Sequence, residues 1–281
     1  MPDFHIITDS GVQVGSLLNS ELPITVIPNR ISTPQQSIQE ASDPEGKRLA
    51  ELSRLPQPIT IEPPTPEAYA QAFATAARNH DGLLCIVPSR HISAHYQRAQ
   101  AGAALVAGAC PIHVFDSQSV SAGQTLIAMA AVRLIQQAST LDAVENALRG
   151  AIARLYMLLY VERVEVLAQR EMLNEHHALF SAMLNLKPLL TMEHGHLAPM
   201  DKARSRAQAL DRLFDFAVEF SDSARMLILH DHEGEDTAER LQQRLGGEVS
   251  CQIDTMVYNA SLAALIGLGA VGIVIQEHLH A

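Results

Sequence analysis

Positive charge is scarce in this chain: 20 Lys and Arg stand against 31 Asp and Glu over 281 residues, a formal net charge of −11. That balance argues against a general binder of nucleic acid or of acidic membrane surfaces, and leaves only local basic spots for such roles. Cysteine is scarcer still. Cys85, Cys110 and Cys251 are odd in number, lie in or beside apolar runs and show no CxxC spacing, the usage of free thiols in a reducing compartment. No apolar run approaches the length of a membrane span, and the start MPDFHIITDS lacks the charged-then-apolar pattern of a signal peptide. The expectation is a soluble, cytoplasmic protein. What the chain does have is core material. Hydrophobic residues make up 47%, enough to exclude disorder for most of it and to fill one large or two modest domains.

The rest of the chain is organised around LLCIVPSRHISAHYQRAQAGAALV, Leu83 to Val106. Leu83 to Val87 reads as a buried strand, Pro88 ends it, and Ser89-Arg90-His91-Ile92 makes a short loop. Ser93 is expected at the N-cap of an Ala-rich helix. Such a helix start offers unpaired N–H groups, a partial positive charge and a hydroxyl to an anion outside the strand's carboxyl end. The plain alternative is that Ser93 does no more than cap its helix.

Taken in order, Phe4 to Thr8 is a buried strand followed at once by Asp9-Ser10-Gly11, where an open α/β sheet keeps its ligand-facing loops. Ile24 to Pro28 is a second strand. Residues 33 to 64 read as irregular surface loop with one short helix near 43–54. Thr65 caps a helix with Pro66 at its first position, and a strand over Ile112 to Phe115 ends in Asp116-Ser117. Helices are expected over about 119–137 and, from Thr140, over 141–154. These alternations predict an open, mostly parallel sheet flanked by helices. Beyond Arg154 the pattern changes: a strand at 155–161, short helices near 162–170 and 174–185, a hairpin around His194-Gly195, and a helix from about 203 to 220. A strand at 226–230, a helix at 236–246 and strands at 252–258 and 268–275 complete it. The division predicted is an N-terminal α/β domain over 1–154 and a smaller C-terminal α/β domain over 155–281.

Several constellations have bland explanations. His91 and His95 are four apart, but Ile92 stands where a zincin motif needs Glu. His194/His196 and His230/His232 alternate without a third ligand placed by spacing, so hydrogen-bonded or solvated histidines account for them better than zinc does. No metal or other cofactor is expected. No GxSxG elbow surrounds Ser93. Gly267 to Gly272 precedes a strand instead of following one, so close packing explains it better than a dinucleotide loop. Lys202-Ala203-Arg204-Ser205 puts cations at an expected helix start, electrostatically misplaced there. That leaves either a solvated helix start or a partner that wants them.

Five segments in order carry a family resemblance. They are Ile7-Thr8-Asp9-Ser10; Pro64-Thr65-Pro66 with Tyr69 and Phe73; Ser93-Ala94-His95-Tyr96-Gln97-Arg98-Ala99; Asp116-Ser117 with Ser121 and Gly123; and Leu186-Lys187-Pro188-Leu189-Leu190 with Gly195 and the 202–205 cluster. Together they resemble the DegV family of bacterial fatty-acid-binding proteins. The resemblance implies a two-domain α/β carrier, not an enzyme, holding a fatty acid in a tunnel between its domains and presenting the carboxylate to a fatty-acid kinase. It places Ser93 on the carboxylate, Asp9, Ser10, Asp116 and Ser117 at the polar end of the cleft, and Arg204 with Lys202 toward the partner.

Departures from the family pattern fall on the head group. The family's carboxylate-binding Thr aligns with Ile61, with Thr60 one place earlier, and the Gly-Thr after the Ser becomes Ala94-His95. A Gly-Gly-Arg segment falls near Arg170-Glu171-Met172, and a His falls on Leu265. Ser93, the amides of Ala94 and His95, and the His95 ring are left to hold the carboxylate, a protonated imidazole adding positive charge. A rival from another class is a small-molecule enzyme using Asp9, Asp116 and His95 for acid–base work in the same cleft.

Overall fold

The computed structural model describes residues 2–13, 24–33, 36–40, 59–163, 167 and 186–278. Continuous apolar runs here become strands buried on both faces, and such strands pair in parallel. β1 (Phe4–Asp9), β2 (Ile24–Ile27), β6 (Gly82–Val87) and β7 (Ile112–Asp116) form a parallel sheet in the order β2-β1-β6-β7. Before β6 the chain forms α1 (Pro66–Ala76); after β6 comes α2 (His95–Leu105). Both lie on the face made by Ile7, Leu83, Cys85 and Val87, with Tyr69, Phe73 and Ala99 in the same core. α3 (Ala122–Ile135) and α4 (Leu141–Ile152) pack against β1 and β6. α3 is apolar nearly all round, as a buried helix must be.

Local signals place the helix starts. Thr65 Oγ1 accepts from Ala68 N at 3.3 Å and Thr140 Oγ1 from Ala143 N at 3.2 Å, two expected caps. α1 and α2 approach closely at Gly102, where a Cβ would stand 2.6 Å from Tyr69 Cβ and 2.7 Å from the Pro66 carbonyl. One region departs from expectation. Three-residue strands β3 (Arg30–Ser32), β4 (Ser37–Gln39) and β5 (Thr60–Glu62) make an antiparallel sheet, β4-β3-β5, with β3 just before and the other two inside the stretch read as irregular loop. Strands so short carry no alternation to read; only pairing defines them. The helices expected near 43–54 and 174–185, and most of that near 162–170, fall outside the described residues.

By their contacts the described residues form two units, one from 2–40 and Thr60–Ala153, the other from Ile59 and the residues from Arg154 onward. In the second, β8 (Leu155–Tyr160), β9 (Lys187–Glu193), β10 (His196–Ala203), β11 (Arg225–His230), β12 (Gln252–Val257) and β13 (Val271–Gln276) form a sheet in the order β10-β9-β8-β13-β11-β12. Only β11 and β12 pair in parallel. The expected hairpin is present: His194 (φ 50°) and Gly195 (φ 83°) turn the chain between β9 and β10 with the two positive φ angles of a type I′ turn. α5 (Arg206–Val218) and α6 (Glu235–Leu245) contribute Leu213, Phe216, Leu241 and Leu245 to a core with Tyr160, Met226 and Ile273. Gly272 serves close packing, since a Cβ there would lie 2.4 Å from Leu159 Cδ2. A helix the sequence reading omitted, α7 (Ala260–Ile266), opens at Asn259, whose Oδ1 accepts from Leu262 N at 3.2 Å. No helix among the described residues is long and apolar enough to cross a membrane.

Candidate functional site

In the parallel sheet the chain moves from β1 out to β2 and later returns to β1's other side as β6, so the switch point lies between β1 and β6. Open α/β sheets bind ligands outside the strand ends at such a point. Asp9 and Ser10 leave β1 there, Asn29 follows β2, and the 88–95 loop follows β6. Together they build one buried polar network. Asp9 Oδ1 accepts from Gly11 N at 2.7 Å and Asn29 Nδ2 at 3.1 Å, and its Oδ2 from Gln124 Nε2 at 2.8 Å. Asn29 Nδ2 also donates to Glu40 Oε2 at 3.0 Å, which takes the Ser10 hydroxyl at 2.7 Å. Asn29 Oδ1 meets His95 Nε2 at 2.8 Å, with Asp9 Oδ1 3.6 Å from the same nitrogen. On the other side of the ring, His95 Nδ1 bonds the Ser93 hydroxyl.

The roles in this chain follow from charge. Two carboxylates can only accept, so the Asn29 NH₂ must face them and its carbonyl must face His95. His95 Nε2 therefore carries the proton, and Nδ1 offers a lone pair to the Ser93 O–H. Burial of His95, 3% exposed, lowers its pKa; Asp9 opposes this and Arg98 adds to it. Without a ligand, burial thus favours the neutral ring, and a positive charge on His95 at the head group stays an expectation for the bound form. Ser93 is not the helix cap. The loop coils back, with the amides of Ile92 and Ser93 both bonding Ser89 O, so α2 starts later, with Ala94 as a cap that has no side-chain bond. Ser93 Oγ instead accepts from His95 N at 3.3 Å. Ser93 is half-buried and Ala94 exposed, whereas Asp9, Ser10, Asn29, Glu40, His95 and Gln124 are buried.

Other anticipated residues lie elsewhere. Asp116 is held by Arg90 Nε at 2.6 Å and Gln118 N at 2.9 Å, and Arg90 stacks over the Tyr96 ring at 4.2 Å. Ser117 Oγ donates to Ser119 O at 3.2 Å. A bond from Ser89 N to Ser119 O, 2.9 Å, ties the loop after β6 to the one after β7. Thr60 and Ile61 sit on β5, where the Thr60 hydroxyl donates to Ser32 O at 3.3 Å. In the second unit, Leu265 is buried on α7. Lys202 is exposed at the end of β10 and Arg204 exposed in the turn after it, while Ser205 caps α5 through Gln208 N at 3.2 Å. The cations thus precede the helix and do not crowd its first turn. Asn29, Glu40 and Gln124 were missed by the sequence reading. Asn29 had a signal, standing just past a strand end as Asp9 does; Glu40 had none. A cleft of about 700 Å³ beside β2 and α1 is lined by polar groups such as Thr25, Gln71, His80 and Arg98, and Ser93 is not on its wall. Among the described residues no group of three or more His, Cys, Asp or Glu is placed to hold a metal ion.

Comparison with known proteins gives the same outline throughout. A DegV domain-containing protein of Streptomyces coelicolor is 26% identical over 278 residues, 97% of this chain and 98% of its own. The crystal structure of DegV from Bacillus subtilis, a fatty acid binding protein, superposes with a TM-score of 0.86 at 19% identity, covering 99% of this chain and all (100%) of that one. A DegV family protein of Eubacterium eligens, loaded with heptadecanoic acid, gives 0.79 at 15% identity over 98% and 100%. The family profile of the uncharacterised DegV proteins matches residues 3–278. From end to end, this chain belongs to the DegV family.

Proposed function

We propose that the chain binds one long-chain fatty acid, or an amphiphile of similar build, with its head group at the Ser93 loop. The observation that carries this reading is exposure: Ser93 is the half-open end of an otherwise enclosed network, beside the exposed Ala94 and the uncapped first turn of an 11-residue helix. Apart from His95 N, which already bonds Ser93 Oγ, the amides of that turn lack intrahelical partners and favour a negative or polar oxygen. Solved relatives bind fatty acids, which supports the same ligand class here. An alkyl chain leaving water contributes about 0.8 kcal/mol per CH₂, so sixteen carbons supply on the order of 10 kcal/mol before ordering costs. A non-catalytic carrier fits better than an enzyme because Asp9, the expected base, already accepts three hydrogen bonds, and Asp116 is paired with Arg90. The carrier's cytoplasmic partner would be an acyl-phosphorylating kinase meeting the exposed Lys202 and Arg204, with domains at 1–154 and 155–281.

Native purification followed by solvent extraction and mass spectrometry should yield a monocarboxylic lipid at up to about one per chain. Folded protein that carries no lipid and binds no added fatty acid would overturn the reading. Arg204→Ala should leave lipid affinity within about twofold, since an exposed surface change away from the head group moves little, while weakening transfer to the kinase. Loss of lipid binding in that variant would make Arg204 a ligand contact instead.

A further inference from the structure

The Ser93 hydroxyl is already committed. Asp9 and Glu40 fix the Asn29 amide, the amide fixes the His95 tautomer, and the tautomer takes the Ser93 proton. Reversing the chain would turn the Asn29 carbonyl onto two carboxylates, or set the bare Nε2 against both Asn29 Oδ1 and Asp9 Oδ1. With one lone pair engaged by His95 N, Ser93 Oγ faces an incoming ligand as an acceptor. An ionised carboxylate is acceptor-only and has nothing to give it.

We propose that head-group recognition at this site is proton-coupled: the carboxyl group enters together with one proton taken from solvent, carried either on the acid or on His95. This rests on the reading that the head group meets Ser93. If the proton stays on the acid, its O–H donates to Ser93 Oγ and the relay is unchanged. If it goes to His95, Nδ1–H donates to Ser93 and frees the hydroxyl to donate to a carboxylate. Both forms hold the same number of protons. The charged and polar groups facing His95 come from every side: Asp9 at the end of β1, Asn29 after β2, Glu40 after β4 through Asn29, and Arg98 on α2, whose Nη1 also bonds Pro63 O at 2.6 Å. Arg90 is drawn away to Asp116. Head groups that donate, such as a primary alcohol, satisfy Ser93 without any proton from solvent.

Titration calorimetry of dodecanoate and tetradecanoate near pH 8, in two buffers of different ionisation enthalpy, counts the protons. The wild-type protein should take up about one proton per ligand, and its affinity should fall about tenfold per pH unit between roughly pH 7 and 9. Dodecanol should bind with no uptake and no pH slope. In His95→Thr the Ser93 hydroxyl is released, so uptake should drop toward zero and the slope flatten. Should that variant not fold, His95→Ser, which also removes the ring nitrogen that takes the Ser93 proton, frees the same hydroxyl and should lower uptake equally. Carboxylate binding by the wild type without proton uptake, or uptake unchanged in the variants, overturns the proposal and leaves fatty-acid binding standing. Failure of both acids to bind overturns the fatty-acid reading itself.

Discussion

Asn29 separates two carboxylates that have no cation between them in the described network. Its NH₂ reaches Asp9 Oδ1 and Glu40 Oε2 while its carbonyl meets His95, and the residue is 1% exposed. Asn29→Asp keeps the shape but sets a third carboxyl group against the other two. The substitution removes both N–H bonds to Asp9 and Glu40 and adds a buried negative charge beside them. Breaking a buried charged network of this kind costs about 3–5 kcal/mol, so denaturant unfolding should show a loss of at least about 3 kcal/mol near pH 7. That loss should shrink on acidification as the new carboxyl group takes a proton. A variant as stable as the parent would mean the carboxylates are not held as described. None of this was legible in the sequence. Asp9 announced itself by standing straight after a strand, but nothing near Glu40 in the sequence tells that it will share an amide with a residue 11 positions earlier.

At the level of elements, the sequence was read well wherever the signal is local. Thr65 and Thr140 each cap the helix expected after them, Ser205 caps the helix expected from about 203, and His194-Gly195 makes the expected turn. The reading failed where a signal was masked or nonlocal. α7 lies in an apolar run that continues into β13, so periodicity could not separate helix from strand, and the Asn259 cap was passed over. The start of α3 carries a feature no pattern reveals. Ser121 adopts φ 49° and ψ −117°, its buried hydroxyl has no partner among the described residues, and it makes no cap bond. Such a conformation costs a non-glycine residue about 1–3 kcal/mol. Ser121→Gly relieves it and loses no hydrogen bond, so thermal unfolding should show about 1 kcal/mol of added stability after glycine's entropy cost. Destabilisation instead would show that the hydroxyl is satisfied by something worth more than the strain.

Across the whole molecule, the two units differ in the groups that acid attacks first. In the first, His95 has its pKa lowered from 6.5, chiefly by burial. The folded state there prefers the neutral ring. Its contribution is therefore full above the unfolded value and is lost as pH falls from 6.5 through the lowered one. In the second unit, burial alone would raise the Glu162 pKa, but Lys187, Tyr160 and Arg206 together hold it below 4.5, so its contribution persists until pH falls past that value. Hydrogen exchange resolved by segment should show protection lost from β1, β6 and α2 at milder acidity than from β8, β9 and α5. Simultaneous loss in both units would contradict the assignment. A last consequence lies in the span of the network itself. His95 and Asn29 are 66 residues apart, and Gln124 and Asp9 are 115 apart. Closing loops that long costs entropy before any of these bonds can form, which makes such contacts late and slow to appear. During synthesis Asp9 must wait for the ribosome to deliver Gln124, so no nascent fragment shorter than that can hold a complete site. The complete site therefore records that the chain has folded at least as far as α3.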